Sequence, residues 1–403
     1  MTWKTRKLSE IGDIFNGNSI NEDVKKNRYL NIADGFPYIG TKDISYDNEI
    51  DYENGVRIPF TEKNSFKIAP KNTILICAEG GSAGRKIAFT EQEICFGNKL
   101  FALNTNSTVD SKFVYYWYFS NTFQNEFKSS LAGIIGGVSL NKFKDIQIPI
   151  PSLPEQQRIV AILDKAFAAI CRAKENTENN LQSAKELFES YLEAVFANKG
   201  EGWEEKKLSE VCEKITDGTH QTPTYFDDGI IFLSSRNVTS AKIDWDKIKY
   251  IDTKQHLEMH KRVAPRMNDI LLAKNGTTGV AAIVDKDITF DIYVSLALLR
   301  ALNILLPSFL LYFINSPIAK KQFNKRLKGI GVPNLHLEEI REVIISFPKS
   351  LKDQQTIVQK LDLLSNETKK LEAIYQQKLI ELEELKKSIL QKAFNGELAE
   401  VKV

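Results

Sequence analysis

Two polar loops carry residue types that suit contacts with nucleic acid. The first, Glu79-Gly-Gly-Ser-Ala-Gly-Arg85, is rich in glycine, which lets a backbone approach a partner closely. It lacks the Gly-Lys-Ser/Thr ending of a P-loop and the spacing of a dinucleotide fingerprint, so we expect no nucleotide cofactor there. The second, Thr216-Asp-Gly-Thr-His-Gln-Thr-Pro223, combines the hydroxyl, amide and imidazole groups that contact phosphates and base edges. The alternatives are a structural turn for the first loop and an ordinary polar loop for the second.

The patterns of common catalytic and metal sites are missing from the sequence. His256 and His260 are four residues apart with Glu258 between them, but the zinc-protease pattern is His-Glu-x-x-His, so we expect no metal site. The chain has no Asn-Pro-Pro-aromatic signature, indeed no Pro-Pro dipeptide, and no convincing nuclease carboxylate cluster, and we therefore predict no catalytic residues. The cysteines are widely spaced without a Cys-x-x-Cys pair, which predicts free and mostly buried thiols at Cys77, Cys95, Cys171 and Cys212.

The elements that position these loops are duplicated about 200 residues apart. Trp3-Lys-Thr-Arg-Lys-Leu-Ser-Glu-Ile11 returns as Trp203-Glu-Glu-Lys-Lys-Leu-Ser-Glu-Val211. Leu153-Pro-Glu-Gln-Gln-Arg-Ile-Val-Ala-Ile-Leu-Asp164 returns as Leu351-Lys-Asp-Gln-Gln-Thr-Ile-Val-Gln-Lys-Leu-Asp362. A repeat of this length exceeds a solenoid unit and predicts a tandem copy of one domain followed by one helix.

The two copies differ in the loops between their shared framework residues. Thr41-Lys42-Asp43 stands opposite Ser235-Arg236-Asn237, and Ala78-Glu79 stands opposite Lys274-Asn275. The glycine-rich loop has its counterpart at Gly276-Thr277-Thr278-Gly279. One scaffold with different loop side chains is typical of two related readers with different specificities.

A long amphipathic helix follows each copy, from Glu155 to about Asn198 and from Asp353 to about Asn395. Apolar residues recur three and four positions apart, which indicates one apolar face along each helix and favours an antiparallel coiled coil. Lys174, Thr177, Thr368 and Lys378 interrupt this seam, and we hypothesise that other proteins dock there. The predicted seam residues are Leu163, Phe167, Ile170, Leu181, Phe188, Leu361, Leu364, Leu371, Leu382, Leu385 and Ile389.

Composition is typical of a folded protein with more than one core. The 403 residues are 42% hydrophobic and 26% charged, and a net charge of +2 neither demands nor excludes nucleic acid. Short β-type runs alternate with turns in each copy, so we predict two α/β (α+β) globular domains at 1–150 and 200–349, with helical spacers at 151–199 and 350–403. The aromatic run Phe113–Phe119 is predicted to be a core helix. We expect a cytoplasmic location, since the N-terminus does not resemble a signal peptide.

Taken together, these residues resemble the specificity subunits of type I restriction-modification systems. The resemblance spans essentially the whole chain. It rests on the order domain, helix, domain, helix, on the Trp-x-x-x-x-Leu-Ser-Glu start of each half, on the Leu-Pro-Glu-Gln-Gln-Arg-Ile-Val-like entry to each helix, and on Asp217-Gly-Thr-His220. The first copy has only Phe15-Asn-Gly-Asn18 in place of that last motif.

The resemblance implies that each globular domain recognises one half of a split, asymmetric DNA target and that helix length sets the spacer between the halves. It also implies that two modification subunits carrying S-adenosylmethionine methylate adenine, and that two restriction subunits, where they are present, join them and use ATP and Mg²⁺. The chain itself would then hold no cofactor and perform no catalysis.

The candidate DNA contacts follow from residue types that suit phosphates, guanine and adenine. They are Lys42, Ser82 and Arg85 in the first domain, and Thr219, His220, Arg236, Asn237, Lys274 and Asn275 in the second. Two other functions remain open on the residues alone. One is a fused enzyme with one catalytic half, and the other is a coiled-coil adaptor that binds proteins without DNA specificity.

Overall fold

The computed structural model describes residues 3–132, 136–239, 241–275, 278–327 and 334–398. The chain forms two compact units, of which the first comprises Met1–Thr177 and Lys378–Val403 and the second comprises Glu178–Gln377. Each unit thus combines one copy of the repeated segment with a part of each long helix. The domain bounds predicted above follow the sequence repeat and stay a prediction.

The first unit is a mixture of short strands and helices. Its strands are β1 (Lys4–Lys7), β2 (Gly12–Asn16), β3 (Phe36–Ile39), β4 (Arg57–Ile58), β5 (Ile68–Ala69), β6 (Ile74–Cys77), β7 (Ile87–Phe89), β8 (Ile94–Phe96), β9 (Leu100–Thr105) and β10 (Gln147–Ile150). Its helices are α1 (Leu8–Ile11), α2 (Glu22–Val24), α3 (Ser111–Trp117), α4 (Asn121–Ser129), α5 (Leu140–Asp145) and the start of α6 (Leu153–Ala197). Short 3-10 turns lie at Thr41–Asp43, Phe60–Ser65 and Gly80–Ser82.

The second unit repeats this order. Its strands are β11 (Trp203–Lys207), β12 (Cys212–Asp217), β13 (Ile230–Leu233), β14 (Lys249–Ile251), β15 (Ile270–Ala273), β16 (Ala281–Ile283), β17 (Phe290–Ile292), β18 (Leu296–Ala301) and β19 (Ile344–Pro348). Its helices are α7 (Leu208–Val211), α8 (Thr253–Arg262), α9 (Pro307–Asn315), α10 (Pro317–Asn324), α11 (Leu337–Arg341) and the start of α12 (Leu351–Phe394), and a 3-10 turn lies at Ser235–Val238.

Equivalent sheets confirm the duplication. The order β2-β9-β6-β7 in the first unit matches β12-β18-β15-β16 in the second, and all these neighbours are antiparallel. The parallel pair β3 and β8 likewise matches the parallel pair β13 and β17. A ribbon of β1 with β10, or of β11 with β19, joins the start of each copy to the strand before its long helix. The mixed α/β class predicted from the sequence is confirmed.

Helix α3 forms a large part of the first core. Phe113, Tyr116, Trp117 and Tyr118 are buried, and the Tyr118 ring stacks on Phe123 at a centroid distance of 4.3 Å. The prediction that this aromatic run belongs to the core is confirmed. The cysteines are free, and only Cys171 is exposed among them. Within the described residues, no helix combines the length and apolar character that a membrane crossing needs.

The long helices pack against each other within each unit. In the first unit, Leu163 of α6 shares a buried cluster with Leu390 and Ala393 of α12, and the Lys174 amine lies 3.3 Å from the Glu383 carboxylate. Positions that advance along α6 therefore meet positions that recede along α12, so the pairing is antiparallel, as predicted. In the second unit, Leu192 and Phe196 share a cluster with Val358 and Leu361.

The seam differs from the prediction at several positions. Leu163, Ile170 and Leu361 are buried, and Phe167, Leu181, Phe188, Leu364, Leu382 and Ile389 are partly buried. Leu371 and Leu385 are exposed, the latter at 47%, so their assignment to the seam was wrong. The seam instead includes Thr177 and Thr368, whose hydroxyls donate to the carbonyls of Ala173 and Leu364 one turn earlier. Because those polar groups are satisfied within the helix, the two threonines need no docking partner.

A buried glutamine explains why the entry to each long helix is repeated. Gln354 is fully buried, its amide nitrogen donates to the carbonyls of Ile304 and Pro348 at 2.9 and 2.8 Å, and its carbonyl accepts from the Leu306 amide at 2.8 Å. Gln156 makes the same kind of contacts with Pro151 and Asp110 in the first unit. Each glutamine fastens its helix to the neighbouring loops.

We predict that Gln354→Ala destabilises the protein by roughly 2–4 kcal/mol, because buried backbone donors and acceptors lose their partners. Urea unfolding followed by circular dichroism measures the change. The neighbouring Gln355 is exposed, so Gln355→Ala is a matched control that should leave the unfolding midpoint in place. Equal midpoints for the two variants would contradict this role for Gln354.

Candidate nucleic-acid interface

Asp217 is the centre of the polar network in the second unit. This residue ends β12 and is almost fully buried, and its carboxylate lies 2.5 Å from the Lys274 amine and 2.7 Å from the Arg262 guanidinium. The His220 ring lies 3.3 Å away. Burial by itself raises the pKa of Asp217, but the hydrogen bonds from Lys274 and Arg262 outweigh it and hold the pKa below its ordinary value. The network therefore holds an ionised carboxylate below an exposed histidine and a half-exposed arginine.

A close backbone approach sets the course of the loop after β12. A Cβ atom on Gly218 would lie 1.9 Å from the Ile292 carbonyl oxygen, a distance that only glycine tolerates. The next residue, Thr219, donates its amide to the same carbonyl at 3.0 Å and accepts from the Val294 amide at 2.9 Å. This seating directs His220 outward, with 62% of its side chain exposed.

The first unit has the same backbone arrangement with other side chains. A Cβ atom on Gly17 would lie 1.9 Å from the Phe96 carbonyl oxygen, and Asn18 donates its amide to that oxygen at 2.9 Å. Asn16 and Asn18 thus occupy the places of Asp217 and Thr219. The equivalence expected between Phe15–Asn18 and the Asp-Gly-Thr-His loop is present in the backbone, although the charged network is not repeated by these residues.

The 3-10 turns after β3 and β13 each present one basic side chain. Lys42 and Arg236 are exposed at equivalent positions of Thr41–Asp43 and Ser235–Val238. The following residue caps the turn from inside, since Asp43 accepts from the Gly40 amide at 2.8 Å and Asn237 accepts from the Ser234 amide at 2.9 Å. Each capped turn therefore holds one positively charged side chain in a fixed position.

Asn237 and Lys274 are not placed as DNA contacts, and their predicted role is corrected. Asn237 is 6% exposed, and its amide nitrogen donates to the carbonyls of Asp244 and Lys247. Lys274 is 5% exposed and its amine faces Asp217. Both side chains have their polar groups satisfied inside the unit, so they position the loop rather than reach a ligand. Asn275 is partly buried, and the glycine-rich counterpart continues at Gly276 and Thr277, which lie outside the described residues.

In the first unit, a cluster of basic side chains connects the glycine-rich loop with the turn that carries Lys42. The Arg85 guanidinium and the Lys86 amine lie 4.9 and 5.0 Å from the centroid of the Tyr46 ring. Lys86 also donates to the Thr41 carbonyl at 2.9 Å, which brings the turn carrying Lys42 beside the glycine-rich loop. The structure thus brings Lys42 and Arg85 to one region of the surface.

Ser82 faces the interior side of the glycine-rich loop. Its hydroxyl lies 3.2 Å from the Cys77 thiol and it is partly buried. Cβ atoms on Gly80 and Gly81 would meet nothing within 4 Å, so this part of the loop is open to an approaching partner. Gly84, in contrast, packs under the ring of Phe127, where a Cβ atom would come within 2.6 Å.

Sequence reasoning missed Arg262, Tyr46 and Lys86. Arg262 is 45 residues from Asp217 along the chain, and no local pattern links the two residues. Tyr46 is four residues after Lys42, and an aromatic residue beside basic loops is a signal for nucleic-acid contact that was available. A separate cluster of His256, His260 and Asp291 offers the one group of metal-ligand atoms found among the described residues.

The two copies thus share one backbone arrangement and carry different side chains on equivalent loops. The chain belongs to the family of type I restriction modification DNA specificity domains, whose model matches residues 1–182 and 200–384.

Individual relatives and solved structures match this chain over nearly its full length. The chain is 22% identical to the EcoBI specificity subunit of Escherichia coli, over 98% of this chain and 86% of that protein. It is 24% identical to the MjaVIII specificity subunit of Methanocaldococcus jannaschii, over 90% of this chain and 86% of that protein. A chain solved in work on the complex assembly and conformational transition of the type I R-M system matches with a TM-score of 0.79 at 21% identity, over 98% of both chains. The HsdS subunit from Thermoanaerobacter tengcongensis matches with a TM-score of 0.63 at 20% identity, over 98% of this chain and 97% of that one.

Proposed function

We propose that this chain is the DNA-recognition subunit of a type I restriction-modification complex and reads a bipartite, asymmetric target. The observation that carries the proposal is one scaffold with two sets of loop side chains. Lys42 and Arg236 stand on equivalent turns, and Asn16-Gly17-Asn18 and Asp217-Gly218-Thr219 occupy equivalent bends. A fixed scaffold with variable loops is how related readers reach different sequences.

In this proposal the exposed cations meet the phosphate backbone and base edges. Lys42 and Arg85 would serve the first half-site, and Arg236, His220 and Arg262 the second. Arginine and lysine suit guanine and phosphate, and the open backbone at Gly80 and Gly81 suits close contact with a phosphate. Asp217, Lys274 and Asn237 hold these groups in place from inside.

Catalysis and its cofactors are assigned to partner subunits. Two modification subunits would carry S-adenosylmethionine and methylate adenine, and two restriction subunits would supply ATP- and Mg²⁺-dependent cleavage where they are present. Family membership supports this division of work, and so does the likeness to a chain from a study of complex assembly. The continuous helices α6 and α12, of 45 and 44 residues, support a role for helix length in setting the spacer between half-sites. We place the complex in the cytoplasm with the DNA that it would survey.

A genome-wide map of methylated adenines, in cells with and without this gene, tests the proposal. We expect one split motif, methylated in both halves, to disappear with the gene. If methylation is unchanged while the purified chain still binds proteins through its helices, the coiled-coil adaptor without DNA specificity replaces our proposal. Methyl transfer by the purified chain alone would favour the fused enzyme.

Arg236→Ala should relax recognition at one position of the second half-site, because losing a good base contact costs about 1–3 kcal/mol of discrimination. The same methylation map measures it as new bases accepted at that position. Lys242→Ala removes an equal charge from an exposed side chain six residues further along and should leave the motif intact. A motif and occupancy identical to wild type in Arg236→Ala would contradict the role of Arg236.

A further inference from the structure

A histidine pair and a buried aspartate meet where helix α8 packs on the second unit. His256 and His260 are one turn apart, and their ring centroids are 4.7 Å apart. Their Nδ1 atoms lie 2.7 Å from Oδ2 and 3.0 Å from Oδ1 of Asp291, which belongs to β17. The three ligand atoms all lie within 4.8 Å of one another. Both imidazoles are thus aimed at one carboxylate.

The Asp291 carboxylate is deeply buried, and a positive charge beside it would stabilise its ionised form. The Asp291 side chain is 1% exposed, and the His256 and His260 side chains are 15% and 32% exposed. An ionised carboxylate removed from water is costly unless it is paired or coordinates a metal. The cluster therefore has an interior anion and a partly open side through which an ion can enter.

Helix α8 depends on polar contacts of this kind. None of its ten residues, all of them described, is buried, so an apolar stripe does not hold it in place. It is fastened at one end by Gln255, which exchanges hydrogen bonds with the backbone of Thr224, and at the other by Arg262 on Asp217. The pair on Asp291 lies between these two fastenings.

We propose that His256, His260 and Asp291 bind one divalent transition-metal ion of the zinc class. Two imidazoles and a carboxylate are a common zinc ligand set, and histidines four apart on a helix share one face. Tetrahedral coordination at metal–ligand distances of about 2.0–2.2 Å separates ligand atoms by roughly 3.4 Å. The present N···O separations of 2.7 and 3.0 Å would therefore open by about 0.7 and 0.4 Å.

The ion acts as a clamp for α8 and, through it, for Arg262. The ion takes the place of the two Nδ1 protons, each of which moves to Nε2 of its own ring or is released to solvent, and the metal charge offsets the buried carboxylate. Water completes the coordination from the exposed side. No metal site was predicted from the sequence because the histidine spacing does not fit His-Glu-x-x-His, and the third ligand, 31 residues from His260 on another element, has no local signal.

The first unit predicts a stoichiometry of one ion per chain. Its strand β8 pairs with β3 as β17 pairs with β13, and Cys95 stands opposite Tyr38 where Asp291 stands opposite Phe232. Burial raises the pKa of Cys95 to about 12. All four histidines of the chain, His220, His256, His260 and His336, lie after residue 200, so the first unit has no equivalent set of two imidazoles and a carboxylate.

Equilibrium dialysis of the full chain with Zn²⁺, after treatment with a chelator, tests the site. We expect one tightly bound zinc per chain, and at least a tenfold loss of affinity in His256→Ala, His260→Ala and the isosteric Asp291→Asn. The exposed His336 and Cys171 are matched controls, and His336→Ala and Cys171→Ser should keep the bound zinc. No stoichiometric zinc in the wild type, or equal binding by the ligand variants, would overturn the proposal and leave a histidine–aspartate hydrogen-bonded pair.

A second measurement covers variants that fail to fold. Co²⁺ bound to the wild type should give the visible absorption of a tetrahedral site with nitrogen and oxygen ligands, and Zn²⁺ should displace it. Added Zn²⁺ should also raise the melting temperature of the wild type and of His336→Ala by the same amount, since an ion that binds only the folded state stabilises it. A featureless Co²⁺ spectrum, or a sulfur-ligand spectrum lost in Cys171→Ser, would overturn the assignment.

Discussion

Replacing Asp217 by alanine should destabilise the second unit by about 3–5 kcal/mol, because it leaves the buried Lys274 amine without its counter-charge. Lys274 is 5% exposed and has its amine 2.5 Å from the Asp217 carboxylate. Arg262 loses its anchor at the same time, although its half-exposed side chain can return to water. Chemical unfolding with probes in each unit measures the effect, and the loss should be confined to the second unit.

The contribution of Asp217 to stability should depend on pH in a defined direction. The folded-state pKa of Asp217 is lower than its ordinary value, so its stabilising contribution is complete above an unfolded pKa of about 3.9 and is lost as pH falls through the folded pKa. The difference in stability between wild type and Asp217→Asn should therefore be constant at neutral pH and shrink below about pH 4. Asp227, which is exposed in the loop before β13, provides the control variant Asp227→Ala. A difference that stays constant down to pH 2 would rule out the proposed ion pairs as its cause.

The sequence predicted what periodicity and repetition encode. Apolar spacing of three and four located α6 and α12. The repeated Leu-x-x-Gln-Gln entry marked their starts, because Gln156 and Gln354 each fasten their helix to equivalent neighbouring segments of their own unit. It failed at Leu371 and Leu385, which satisfy an ideal heptad but face solvent. An α-helix has 3.6 residues per turn, so a strict seven-residue pattern drifts around its surface, and threonines that bond to their own helix can occupy the seam instead.

The sequence predicted the DNA-contact candidates correctly only where a residue of suitable type is also exposed. Lys42 and Arg236 are exposed cations, as a DNA contact requires, whereas Lys274 has an equally suitable type but is neutralised by a carboxylate 57 residues earlier. No local pattern reveals that pairing. Asn237 did have a local signal, since Ser234-x-x-Asn237 resembles a capping box whose third-position side chain turns back to the first. Reading it as a cap would have placed Asn237 inside.

Gly218→Ala should abolish discrimination in one half of the target while leaving the other half readable. The new Cβ atom would lie 1.9 Å from the Ile292 carbonyl oxygen and 2.6 Å from the Tyr293 carbonyl carbon, and both are backbone atoms that cannot move aside cheaply. The bend must then open, which displaces Thr219 and His220 from the surface and costs about 1–3 kcal/mol or more in overpacking. Methylation mapping in cells carrying the variant measures base preferences at each position.

The repeat supplies the decisive comparison for this variant. Gly17 makes the same approach to the Phe96 carbonyl oxygen at 1.9 Å, so Gly17→Ala should relax the other half of the target and spare the half that depends on Gly218. Gly81 has nothing within 4 Å of its would-be Cβ atom, so Gly81→Ala adds the same methyl group without a collision and should leave the fold and stability unchanged. If Gly17→Ala and Gly218→Ala relax the same positions, the two units do not read separate half-sites. Each collision involves only backbone atoms of its own unit, so neither variant displaces a loop of the other unit. If both variants nevertheless relax the same positions, the proposal of a bipartite target is wrong.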